Sequence, residues 1–252
     1  MIDFSAISDQ SRLGRILRAP LRLLPKGIEI PVIQGPLRGK RWIVGSSNDG
    51  CWLGTYELSK VRRLTTFVKS GMTCFDIGAN VGYYTLLFSV LVGQTGKVFA
   101  FEPLPTNVDL LRQHVQINRC RNVRIFDLAL TDFDGEAPFE EHESRSMGHL
   151  AESSGLKVRC ATLDGLLREG EISIPHVLKI DVEGAELAVM IGARKMFESA
   201  KPVILLATHG PDVHASCCCL LIDLGYDLEP LDGRSVESSS ELLAVAGKGD
   251  CA

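Results

Sequence analysis

The sequence predicts an α/β fold of the Rossmann-like kind, on three observations. The stretch Phe75-Asp76-Ile77-Gly78-Ala79-Asn80-Val81-Gly82 reads as the end of a buried strand, a glycine turn and the start of a helix. After that turn, short apolar runs alternate with helical stretches, as in a doubly wound sheet. Two last apolar runs, 226–231 and 242–246, are separated by Asp232-Gly233 and a serine run, which predicts an antiparallel hairpin closing the sheet.

Size and composition set the limits. The chain has 252 residues, 45% of them hydrophobic, enough to bury the core of one α/β domain. Residues 1–56 read as an N-terminal extension, a basic helix plus a small β-meander, and 57–252 as the main domain. A net charge of −4 gives no sign of a nucleic-acid partner. The eight cysteines show no paired C-x-x-C spacing with histidines, which argues against zinc, and Cys217-Cys218-Cys219 on one helix point different ways. Reduced, buried thiols in a cytoplasmic protein are expected. No run approaches the ~20 apolar residues of a spanning helix, and the N-terminus lacks the apolar run of a secretory signal.

In chain order, residues 1–26 interleave leucines with Arg12, Arg15, Arg18 and Arg22 and are broken by Pro20. Such a segment either docks on its own domain, stays unordered, or makes a weak contact with an acidic membrane surface. Residues 27–50 read as a hairpin or small meander, and 57–69 as a helix. Residues 72–77 are the first main strand and 81–92 a largely apolar helix, with Gly78 for a tight turn and Gly82 for close packing. The free amides of that turn suit an electron-rich ligand group. Asp76 opposes a phosphate and favours a sulfonium or ammonium. Glu102 ends the next strand, 97–101, where an acid in such a sheet commonly binds ribose hydroxyls. A cationic nucleoside suits both acids; helix-to-sheet packing alone is the other reading of the turn.

A helix over 105–118 and a strand over 122–128 follow. Asp127 at that strand's end is placed either for an adenine amino group or as a turn former, with Ala129 and Leu130 as walls. Residues 131–160 read as an insertion without a helix, holding the acidic loop EEHESRSMGHL and a strand at 157–160. After a short helix at 162–168, the strand 175–181 ends on Asp181, which faces the ligand side of an open sheet. Asp181, Glu183 and Glu186 open the helix 185–197, as catalytic or substrate-binding groups or as ordinary acids of a first turn. Lys179 fits either an ion pair or a direct role. The strand 201–208 leads to His209 beside Asp181, and a helix at 215–224 precedes the final hairpin.

The strings FDIGANVGYYT, VFAFEPLPTN and LKIDVEGAEL, in this order and spacing, resemble the FkbM-type S-adenosylmethionine-dependent methyltransferases over residues 53–209. The resemblance implies a class I methyltransferase fold with a seven-stranded, mostly parallel sheet. It also implies S-adenosylmethionine as cofactor, S-adenosylhomocysteine as product, and O-methylation of a small-molecule, glycan or polyketide-like hydroxyl acceptor. Carried onto this sequence, it places Tyr56 and Glu57 over the methionine end of the cofactor. Asp76, Gly78, Ala79, Asn80, Gly82 and Tyr83 fall at the turn, and Glu102 and Pro103 at the ribose. Asp127 and Ala129 fall at the adenine, and Ser146, with Asp181, near the methyl donor. Ala207 departs from a glutamate often found two residues before the histidine.

Methyl transfer to an alcohol needs a hydroxyl in line with the sulfonium and a group to take its proton. His209 is the first candidate base, Asp181 the second, with Glu183 beside them. No metal is assigned, although these three are also ligand types, and a version with a divalent ion stays open. Three competing readings remain. A nicotinamide-dependent oxidoreductase requires glycine at the place of Asn80; a non-catalytic nucleoside-binding scaffold requires binding without turnover; N-methylation lacks its Asp-Pro-Pro-Tyr type of string.

Overall fold

The computed structural model of the chain describes residues 24–141, 148–150 and 156–247. The N-terminal part contributes β1 (Glu29–Pro31), β2 (Arg41–Ile43), α1 (Gly50–Leu53) and α2 (Leu58–Phe67). The first half of the main fold is β3 (Thr73–Ile77), α3 (Tyr83–Val92), β4 (Lys97–Phe101), α4 (Pro105–Ile117) and β5 (Val123–Phe126). There follow β6 (Ala129–Leu130), β7 (Gly135–Glu141), β8 (Gly148–Leu150), β9 (Leu156–Ala161) and α5 (Leu163–Arg168). The second half is β10 (Val177–Ile180), α6 (Glu186–Ile191), α7 (Arg194–Ala200), β11 (Val203–Ala207) and α8 (Pro211–Asp223). The last strands are β12 (Tyr226–Pro230) and β13 (Glu241–Ala246).

The main sheet has seven strands in the order β12-β13-β11-β10-β3-β4-β5. The five from β11 to β5 run parallel, and β13 lies antiparallel between β11 and β12, as the hairpin pattern predicted. The chain winds outward from β3 through β4 and β5, then returns to lay β10 on the other side of β3. That reversal puts the crevice of an open α/β sheet between the carboxyl ends of β3 and β10.

Period two along the strands sorts the core into two layers. Phe75, Ile77, Phe99, Phe101, Leu178 and Ile180 face α5 to α8, meeting Leu166, Met190, Phe197 and Leu221. Cys74, Val98, Val177 and Leu205 face the other way, onto Leu64 of α2 and Leu86 and Phe88 of α3. Val32, Trp42 and Trp52 of the N-terminal part join this second layer. Trp42 stacks on the His114 ring at 4.0 Å. His114 Nδ1–H donates to the Val81 carbonyl at 2.7 Å, while Nε2 accepts the Ile43 N–H at 3.1 Å. Burial holds this imidazole's pKa down to about 4.

Two expectations are corrected. The segment after residue 131 is not a plain loop with one strand: β6, β9, β7 and β8 form a four-stranded sheet of their own. The helix expected over 185–197 is two helices. Gly192 and Ala193 part them, and a Cβ at Gly192 would sit 2.0 Å from the Thr131 carbonyl oxygen, so only glycine fits beside the passing chain. The Asp164 carboxylate then caps the new start, accepting the Lys195 and Met196 N–H groups at 2.9 and 3.0 Å. Among the described residues no helix is long and apolar enough to cross a membrane. The basic segment 1–23, Ser146 and Met147 lie outside the described residues.

Candidate active site

The site grows from the turn after β3. Gly78 has φ 73°, and a Cβ there would lie 1.9 Å from the carbonyl oxygen of Asp181, so glycine is required for β3 and β10 to end side by side. The Gly78 and Ala79 N–H groups both donate to the Phe101 carbonyl at 3.0 Å. Asn80 takes a left-handed φ of 49°, and its N–H donates to Glu102 Oε2 at 2.8 Å. Glu102 Oε1 accepts from the Leu104 N–H at 3.1 Å and the Asn107 amide at 3.2 Å. Burial pushes the Glu102 carboxyl above its ordinary pKa, against the pull of these donors.

Asp76 and Lys179 are direct partners across β3 and β10, and the strand period turns both toward α3. Asp76 is fully buried, accepts from the Thr85 hydroxyl at 2.5 Å, and lies 3.6 Å from Lys179 Nζ. Lys179 also donates to the Gly78 carbonyl at 2.9 Å, lies 3.5 Å from Asp181 Oδ2 and sits over the Tyr84 ring. Burial works against the Lys179 charge, but Asp181 and Asp76 more than offset it and hold its pKa above the ordinary value. For Asp181 burial pulls upward, yet Lys179 wins and the carboxyl stays below its ordinary value.

Beyond Asp181 the chain enters Glu183 with φ 54° and Gly184 with φ 104°, then α6. Glu186, fully buried, uses Oε1 to accept the Gly184 N–H at 3.0 Å and His209 Nδ1–H at 2.8 Å. His209 Nε2 faces Glu183 Oε2 at 3.4 Å and Asp181 Oδ1 at 3.8 Å. The hydrogen bond to Glu186 first, then the neighbouring carboxylates, raise the His209 pKa to about 9 against the effect of burial. Three carboxylates thus face the ring that the sequence marks as a candidate base.

A cavity of about 250 Å³ opens over the turn. Of the residues singled out in the sequence, Gly78, Ala79, Asn80, Tyr83, Glu102 and Pro103 line it, as do Tyr56, Ala129, Asp181 and Glu183. Others stand off it. Asp76 is buried behind Lys179, and Gly82 packs on Leu111. Glu57 accepts from the Tyr84 hydroxyl and pairs with Lys60 at 2.8 Å. Asp127 pairs with Arg112 at the half-exposed surface. His209 touches the cavity only through Asp181 and Glu183. Lining residues that the pattern did not mark include Asn107, Leu128 and Phe139, while Lys179, marked for an ion pair or a direct role, lines the cavity and makes the ion pairs. An asparagine in the first turn of α4, shortly after the strand-ending acid, was the available signal for Asn107.

The methyltransferase FkbM domain matches residues 76–228. Over 159 residues the chain is 29% identical to the hexuronic acid methyltransferase AglP of Haloferax volcanii, covering 62% of this chain and 64% of that one. Over 113 residues it is 26% identical to a protein-L-isoaspartate O-methyltransferase of Caenorhabditis elegans, covering 44% and 49%. The match thus spans less than two thirds of the length of either relative. Among solved structures, the methyltransferase FkbM of Methylobacillus flagellatus KT is similar, with a TM-score of 0.50 and 15% identity over 79% of this chain and 55% of that chain. At that identity the likeness speaks for the fold.

Proposed function

We propose that this chain, which belongs to the FkbM methyltransferase family, methylates a hydroxyl of a sugar acid or a related small or glycan-linked acceptor. It is an S-adenosylmethionine-dependent methyltransferase, and the acceptor class is suggested by the hexuronic acid named for its relative AglP. The observation that carries the reading is one cavity walled on one side of the glycine turn by Glu102 and on the other by Asp181 and Glu183.

The residues fit the cofactor. An ionised carboxylate has about four acceptor positions, and three donors reach Glu102, which leaves room for a ribose hydroxyl. Leu128, Ala129 and Phe101 offer apolar walls for a base, and Tyr56 and Tyr83 flank the turn. When bound, S-adenosylmethionine supplies a methyl carbon made electrophilic by its sulfonium. The chain's own part is positioning: Lys179 fixes the turn and Asp181 in one frame. As the new O–CH3 bond forms, the hydroxyl proton becomes strongly acidic, so a carboxylate suffices to take it. Asp181 and Glu183, which line the cavity, are the receivers, and His209 stands beside them, anchored by Glu186.

The test is transfer of labelled methyl from S-adenosylmethionine to a panel of uronic acids and neutral sugars. An ether product stable to mild base supports the reading; a base-labile ester, formed on the carboxyl group, overturns the hydroxyl assignment. Glu183→Gln is expected to slow turnover by roughly 10²-fold or more while keeping affinity for S-adenosylhomocysteine.

A further inference from the structure

We propose that Asp181, Glu183 and His209 bind one divalent cation, of the Mg²⁺ or Mn²⁺ type, which holds the acceptor hydroxyl at the mouth of the cavity. The inference deepens the O-methyl transfer reading and rests on it.

The geometry comes first. The three residues each offer one ligand atom, all within 4.8 Å of one another. His209 Nε2 lies 3.4 Å from Glu183 Oε2 and 3.8 Å from Asp181 Oδ1. Those gaps are too long for charge-assisted hydrogen bonds, which run about 2.7–2.9 Å. The 3.4 Å gap suits two ligands on one small ion, since bonds of about 2.1 Å set roughly 90–120° apart separate their ligand atoms by about 3.0–3.6 Å, and the 3.8 Å gap needs only a small inward turn of Asp181.

An independent feature sits behind the ring. Ligand histidines characteristically donate their second nitrogen to a carboxylate, which fixes the tautomer and aims the free nitrogen. Here fully buried Glu186 takes the Nδ1–H at 2.8 Å, leaving Nε2 aimed at the two carboxylates. The second oxygen of Glu186 is buried and has no hydrogen-bond partner. A fully desolvated carboxylate beside two more calls for positive charge close by.

Charge counting points the same way. Lys179 is shared by Asp76 and Asp181, and Lys60 by Glu57 and Glu241. Each lysine at the site already serves two carboxylates, so once His209 gives Nε2 to the ion as a neutral ring, the dication takes over the charge balance at Glu183 and Glu186. The donor set, two carboxylates and one imidazole, suits Mg²⁺ or Mn²⁺ and admits other first-row ions. The ligand side chains are 29%, 35% and 37% exposed, which leaves open positions for water or an acceptor hydroxyl.

The chemistry follows from the arrangement. A hydroxyl on the cation gives up its proton more readily. Asp181 and Glu183 each give the ion one oxygen; the second oxygen of Asp181 faces Lys179, and that of Glu183 is left to receive the proton. A sugar with adjacent oxygens would occupy two positions at once, which orients it for transfer.

The experiment is a titration of metal-free protein with Mn²⁺, read by the electron paramagnetic resonance of the free ion, with S-adenosylhomocysteine present. The expected result is one saturable site per chain, displaced by Mg²⁺, with affinity lowered about tenfold or more in Glu183→Gln and in His209→Ala. Calorimetry of S-adenosylhomocysteine on the same samples reports the fold and the cofactor site separately. Wild type that binds S-adenosylhomocysteine but shows no saturable Mn²⁺ site overturns the proposal, as does Mn²⁺ binding equally strong in both variants. Loss of S-adenosylhomocysteine binding in wild type would instead strike the functional reading, while the Mn²⁺ titration still decides the cation site.

Discussion

Lys179 Nζ donates to the carbonyl oxygen of Gly78 at 2.9 Å, so the one lysine inside β10 holds the glycine turn after β3. The same ammonium stands between Asp76 and Asp181. A buried cation thereby ties the turn after β3 to the carboxyl end of β10.

Lys179→Met should therefore act at two levels. Removing one partner of a buried charge pair costs about 3–5 kcal/mol, because Asp76 stays buried beside no counter-charge. Urea unfolding is expected to show a lower midpoint, and calorimetry a weaker affinity for S-adenosylhomocysteine. An unchanged midpoint would mean that Asp76 is already neutral without the lysine.

Two glycines with left-handed backbones should respond differently to alanine. At Gly78 a methyl group would meet the Asp181 carbonyl at 1.9 Å, whereas at Gly184 nothing lies within 4 Å. Gly184→Ala carries only backbone strain, of order 1–3 kcal/mol. Gly78→Ala carries the strain plus a backbone collision, and should lose both stability and cofactor binding. Thermal melts of the two variants side by side check the order.

His114 sets a pH dependence of stability. Its pKa is about 4 in the fold against an ordinary 6.5, so between these values the unfolded chain binds more protons. The stabilisation is complete above pH 6.5 and is lost as the pH falls through the window to about 4. Denaturation midpoints measured across that window should fall more steeply for wild type than for His114→Gln.

What the sequence made legible was local. The strand, glycine turn and helix at 73–92, the strand-ending acids Glu102 and Asp181, and the final hairpin are each written in consecutive residues, by apolar runs and their punctuation. The four-stranded sheet was not, because β7 carries Gly135, Glu136, Pro138, Glu140 and Glu141 and has no strand-like apolar run. Its register comes from pairing with β9. The need for glycine at 192 depends on where Thr131 passes, a contact some 60 residues away in sequence that no local pattern records. At the site, residue types near the strand ends were readable, but their facing was not. Asp76 looked like a ligand to a sulfonium; register with Lys179 turned it inward. His209 looked like a base beside Asp181, and only the fold brings Glu186 onto its Nδ1.

The central claim is that the cavity beside Glu102 is the S-adenosylmethionine site, and calorimetry tests it most directly. S-adenosylhomocysteine should bind wild type with one equivalent per chain. Glu102→Ala removes the acceptor for the Asn80 and Leu104 N–H groups and the ribose contact together, and should weaken binding by about tenfold or more, given roughly 1.5–3 kcal/mol for hydrogen bonds to a charged group. Folded wild-type protein that binds no S-adenosylhomocysteine, or a Glu102→Ala variant that binds it as tightly as wild type, would contradict the account.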